Sequence, residues 1–224
     1  MAHALTSEEY TITLNEVKNL GSTTSMLRTE EQTQSTWFWA DNARMETHPW
    51  TLAVDRRGGS GGLLAVDLST LEFARLLVLL EIGLADATIV CWDASKYTFN
   101  HWRPIMGIHA ALTDGTPGTD EDKFWLPLID MPPFPAFILG NSTFTSTAAL
   151  IIARVLDSNP ISFDMILQGL PNGTRSFASF LDVAAKAGQS RIYGGIHWQY
   201  GYLDALAVSI QLGDLVLSIT SLID

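Results

Sequence analysis

Between Ser69 and Ala94 the chain reads apolar on almost every face of a helix, broken only by Glu72, Arg75, Glu81, Asp86 and Asp93. A helix that is hydrophobic nearly all round must be covered on all sides by other elements or by lipid. The greasiest part, residues 76–90, contains Glu81 and Asp86 and is shorter than the roughly 20 apolar residues of a bilayer span. We therefore read it as the central helix of a bundle in which the remaining segments supply the cover. Those segments carry the same periodicity: helices are expected over 8–21, 29–39, 105–112, 142–156, 174–190 and 198–222. Ser7 ahead of Glu8 and Glu9 marks one start, and Thr29 followed by Gln32 has the form of a capping box at another. No convincing strand alternation and no internal repeat interrupts the pattern, so the expected fold is all-α, a helical bundle in a single domain spanning 1–224.

Composition narrows the function classes. The 224 residues are 47% hydrophobic and 17% charged, too apolar for a disordered chain. A formal net charge of −11 and the lack of any Lys/Arg cluster exclude a nucleic-acid partner on electrostatic grounds. The one cysteine, Cys91, makes no intrachain disulfide. The first residues have neither the basic start nor the apolar run of a signal peptide, and the expectation is a cytoplasmic protein without a membrane span. Gly58, Gly59, Ser60, Gly61 and Gly62 have the composition of a flexible linker or of a plain glycine-rich turn. The Trp37, Trp39 and Trp50 group is read as core. His101 and His109 are read as packing or surface residues, and no zinc-like ligand spacing exists. The Pro- and Gly-rich segment 114–140 is a long loop, a class often functional in compact domains.

Three blocks carry the chemistry. Lys96 is followed after six residues by Arg103 and Pro104; Ser190 and Arg191 are followed after five residues by His197; between them stand Ile138, Leu139, Gly140 and Asn141. One Lys and two Arg form a set of charge-assisted donors suited to an oxyanion. A glycine at a helix start lets backbone N–H groups join them. The first and third blocks, with neighbouring sequence from about Thr6 to Leu217, resemble the catalytic half of the vanadium-dependent haloperoxidase and type 2 phosphatidic acid phosphatase superfamily. The resemblance implies that superfamily's helical bundle. It also implies that Lys96, Arg103, Gly140 and Arg191 hold an anion, with His197 as nucleophile, or as metal ligand if vanadate is bound.

The middle block departs from the pattern. Where the superfamily has Pro-Ser-Gly-His, this chain has Ile138, Leu139, Gly140 and Asn141. It lacks the hydroxyl donor and the imidazole, and an amide does not titrate near neutral pH. Gly201 stands where the phosphatases have a carboxylate, with Asp204 the nearest acid. The expectation is a non-halogenating enzyme in which vanadate is disfavoured as cofactor. Its anion cradle would act on an apolar anionic small molecule, with Ile138 and Leu139 as pocket wall and Asn141, in the altered position, as a catalytic residue beside His197. Isomerase, cyclase or lyase chemistry, such as diphosphate departure from a prenyl chain, fits that description. The alternatives are a haloperoxidase or acid phosphatase of reduced activity and a non-catalytic binding protein, and the resemblance also allows a homodimer.

Overall fold

A computed structural model describes residues 4–42, 68–157, 162–166 and 174–220. Helices occupy most of them: α1 Glu8–Leu20, α2 Glu30–Asn42, α3 Thr70–Ile89, a π-helical turn Val90–Tyr97, α4 Pro104–His109, a 3-10 turn Ala111–Thr113, α5 Gly140–Val155, α6 Phe180–Tyr193 and α7 Gln199–Thr220. The fold is all-α. The glycine run at 58–62, Trp50 and the end of the expected last helix lie outside the described residues.

Local chemistry sets the helix starts. The Ser7 hydroxyl accepts from Tyr10 N–H at the head of α1. Thr29 and Gln32 close a reciprocal box before α2, the Gln32 N–H donating to Thr29 Oγ1 and the Thr29 N–H to Gln32 Oε1. Ser69 and Glu72 do the same for α3. Such caps satisfy N–H groups that have no partner inside the helix.

The central position falls to α5, which packs against α3, α6 and α7. One core joins Phe38, Trp39, Leu76, Leu80, Leu84, Ile151, Phe180 and Val183. A second, around the three blocks singled out above, joins Tyr10, Leu14, Ile108, Phe137, Ile138, Leu139, Trp198 and Tyr200. The long loop is strapped to α1: Leu128 N–H donates to Gly21 O, Trp125 Nε1 to Lys18 O and Asn15 Nδ2 to Gly118 O.

Several expectations are corrected. Residues 174–177 are not the start of a helix but a strand, β2 (Thr174–Phe177), paired antiparallel with β1 (Phe163–Ile166) in the register Phe163 to Phe177. Phe177 reaches the first core while Ser176 Oγ donates to Asp164 on the outer face, and Ser179 caps α6 two residues later. The long helix leaves α geometry at Ile89. Trp37 is exposed, whereas Trp39 is core. Among the described residues one helix, Gln199–Ile219 with mean hydropathy 1.5, is long and apolar enough to cross a bilayer by length and composition, and a third of it is buried inside the protein.

Candidate active site

The widened turn over Val90–Tyr97 determines where the first block points. Ser95 Oγ and Thr98 Oγ1 each donate to a carbonyl five residues back, and Asn100 ends the segment in the left-handed region (φ 43), which Asn tolerates better than most residues. Lys96 is thereby turned inward and is 1% exposed. Its Nζ donates to Ile138 O (2.8 Å) and Pro135 O (3.1 Å) and lies over the Phe134 ring. Arg103 precedes a proline, which holds it in extended backbone (ψ 156) as N-cap of α4. Its Nε donates to Phe134 O (2.6 Å) and its Nη1 to Ile196 O (2.8 Å).

The third block arrives from the other side. Arg191 lies in the last turn of α6, its Nε donating to Ser190 Oγ. Gly194 caps that helix and Gly195 takes φ 77; a Cβ there would meet Gly21 O at 2.5 Å, so this reversal requires glycine. The turn delivers His197, whose Nε2 lies 3.0 Å from Arg103 Nη1. A guanidinium has only donors, so Nε2 must be the acceptor and the imidazole proton sits on Nδ1. His197 is thus neutral with its Nε2 lone pair presented to the cations.

The electrostatics agree. Burial, followed by Arg103, Lys96 and Arg191, holds His197 well below the usual imidazole range, against a small opposing effect of the Ala136 backbone. All three cations therefore act on one imidazole. Burial is also the main cause that brings Lys96 down to about 8, Arg103 to about 9 and Arg191 to about 10. None of the three makes a salt bridge among the described residues. Arg103 Nη2, Arg191 Nη2 and His197 Nδ1 are buried without a protein partner. Buried cations of this kind are costly unless an opposite charge joins them.

The middle block borders the cradle. Gly140 opens α5 with no side-chain cap, and a Cβ on it would lie 3.4 Å from Cys91 Sγ. Asn141 sits half-buried in the first turn. Ile138 and Leu139 are packed into the second core. Arg103 lines an open pocket of about 410 Å³ together with His101, Ile105, Met106, Phe134 and Pro135. Sequence reasoning missed this pocket and the main-chain carbonyls of 134–138 that anchor Lys96 and Arg103; the proline-rich run at 132–135 signals only a loop. It also missed that His101 Nε2 is hydrogen-bonded to Tyr200 Oη. His109 Nε2 makes a local contact with Trp125 O.

The profile of the VCPO second helical-bundle domain matches residues 75–223. Vanadium chloroperoxidase of Curvularia inaequalis is 27% identical over 180 residues, covering 60% of this chain and 29% of that protein. The crystal structure of a bacterial vanadium-dependent iodoperoxidase superposes with a TM-score of 0.73 at 27% identity, covering 92% of this chain and 48% of that one. An apo-type bacterial vanadium-dependent chloroperoxidase gives 0.69 at 14% identity, with 92% and 47% covered, a likeness of fold. The chain thus spans under a third of the curated relative and about half of these structural neighbours. With the profile covering residues 75–223, the chain belongs to the family of VCPO second helical-bundle domains, within the vanadium haloperoxidase superfamily.

Proposed function

We propose that this chain is a diverged, non-halogenating member of its superfamily that binds the phosphate or diphosphate group of an apolar small molecule and severs it from the body. The observation that carries this reading is the trio Lys96, Arg103 and Arg191, all buried and none in a salt bridge among the described residues. An oxyanion supplies the missing negative charge, and the orphaned Nη2 atoms of both arginines supply donors for its oxygens. The pocket that shares Arg103 offers Ile105, Met106, Phe134 and Pro135 to an apolar body. His197 Nε2, neutral and carrying its lone pair, is the nucleophile toward phosphorus.

The same donor set fits vanadate, which Lys96, Arg103, Arg191, the Gly140 N–H and His197 would hold. When bound, vanadate supplies activation of peroxide. Asn141 has no proton to exchange at the position where the superfamily places its imidazole, and general acid–base assistance contributes roughly 10²- to 10⁴-fold; this argues for the non-halogenating reading. The test is calorimetric titration with inorganic phosphate and turnover of 4-nitrophenyl phosphate by wild type and His197→Ala. Phosphate binding, with turnover by wild type that the variant loses, is expected. Absence of binding, or equal turnover by both proteins, overturns the proposal.

A further inference from the structure

The cradle binds and attacks, but at neutral pH its cations are held as donors and residue 141 is an amide. The wall of the adjoining pocket contains the missing chemistry. Asn100, His101, Trp102, Arg103, Ile105 and Met106 line one side of it, and 131–135 line the other. Of these side-chain types only imidazole exchanges protons near neutral pH. His101 stands two residues before Arg103, and both line the pocket, so a guest whose anionic group is held by Arg103 shares that pocket with His101.

The placement is rigid. The His101 carbonyl accepts from Ala136 N–H at 3.0 Å. The next carbonyl, Trp102 O, accepts from Trp198 Nε1 at 2.6 Å, and Arg103 binds Ile196 O. Segment 101–103 is thus fastened on two sides, His101 to the loop at Ala136 and Trp102 and Arg103 to the strip that carries His197. Tyr200 completes the strip: its hydroxyl is hydrogen-bonded to His101 Nε2 and its ring stacks on Trp198. A buried phenol oriented in this way fixes the imidazole as a supporting group fixes a catalytic base.

Resting on the phosphate-cleaving reading, we propose that His101, positioned by Tyr200, is the proton-transfer residue of this site, supplied from a different segment than position 141, where the superfamily places its imidazole. In the first step His197 Nε2 bonds to phosphorus and the P–O bond to the apolar body breaks. The electron pair leaves on that oxygen, which takes a proton from the protonated imidazole of His101. In the second step water attacks phosphorus, gives its proton to neutral His101, and releases phosphate and His197. The net change is ester plus water to alcohol plus phosphate.

A leaving group that departs unaided does not need the proton, and this separates a chemical role from a structural one. Wild type, His101→Gln and Tyr200→Phe are compared on phenyl phosphate and 4-nitrophenyl phosphate, with melting curves to confirm folding. His101→Gln is expected to lose about 100-fold in kcat/KM on phenyl phosphate and less than about tenfold on the nitrophenyl ester. Tyr200→Phe is expected to show the same bias, smaller. Equal losses on the two esters, or no loss on either, overturn the role of His101. If His101→Gln fails to fold, the bias in Tyr200→Phe decides. Activity in wild type that His197→Ala lacks, with no leaving-group bias in the other variants, sinks this inference alone; no turnover of either ester by wild type sinks the phosphate-cleaving reading with it.

Discussion

Replacing Lys96 with methionine should make the ligand-free protein more stable and, at the same stroke, deprive it of its anion. Burial is the main cause that lowers the Lys96 ammonium from 10.5 to about 8; the Cys91 thiol opposes it and Arg103 adds to it. At about 1.4 kcal/mol per tenfold change in proton affinity, the charged form is disfavoured in the fold by about 3 kcal/mol. Met removes that cost and keeps the packing against Trp92 and Phe134. It also strips the donor from Pro135 O and Ile138 O, at about 1 kcal/mol each. The net gain at pH 6.5 is about 1 kcal/mol, read by urea denaturation without ligand. The sign depends on pH: between pH 8 and 10.5 the unfolded chain holds a proton the folded one has released, so wild-type stability climbs with pH. The advantage of Lys96→Met therefore shrinks through that window and reverses within about one pH unit of its lower end. Phosphate at 100 times its Kd stabilises wild type by about 2.7 kcal/mol; the variant loses a charge-assisted bond of about 1.5–3 kcal/mol, hence most of that response. A ligand-free variant less stable by about 2 kcal/mol or more, with phosphate affinity intact, would refute the reasoning.

Phosphate affinity should fall above about pH 8, because Lys96 loses its proton near 8 and a bound anion favours the charged form; calorimetry from pH 8 to 9.5, where inorganic phosphate stays a dianion, checks this, and a rise across that range contradicts it. In Gly188→Ala the new Cβ would lie 2.4 Å from Ser142 Oγ and from two Tyr202 ring carbons, costing about 1–3 kcal/mol by overpacking and lowering the melting temperature. Leu80, fully buried in the first core, should cost about 2–5 kcal/mol as Leu80→Ala, measured by urea denaturation with phosphate affinity unchanged.

What was legible in the sequence was what a few neighbouring residues decide. Ser7, the Thr29–Gln32 box and the Ser69–Glu72 box act within one helical turn, so the starts of α1, α2 and α3 could be placed by reading. The hairpin could not be, because Thr174–Phe177 becomes a strand only by pairing with Phe163–Ile166, and that pairing competes with an apolar spacing which also suits a helix. The π-helical turn escaped for a related reason: Val90–Tyr97 is as good an α-helix by composition, and the wider turn is decided by where Lys96 finds acceptors, some 40 residues away in the loop at 135–138. Trp37 and Trp39 lie two apart on one helix and so face different sides, one core and one exposed; composition grouped what geometry separates.

The site divides along the same line. The spacing of Lys96 to Arg103 and of Arg191 to His197 marked the residues that act together on one imidazole, because each pair is local and its turn is fixed by Pro104 or Gly195. The apolar side was harder. Ile138 and Leu139 follow the loop directly into the second core, and their carbonyl and N–H groups are used instead, Ile138 O by Lys96 and the Leu139 N–H by Gly201 O. Apolar side chains in that block therefore serve to hold the main chain that holds Lys96, while the open space lies beside Arg103. On the proposed reading this separates two duties that a Ser-Gly-His motif performs together: anion binding rests on cations fastened by main-chain carbonyls, whereas proton transfer rests on one titratable ring. A chain that has lost the second duty at position 141 while still burying three cations must either receive its proton from elsewhere in the pocket or act on anions that need none.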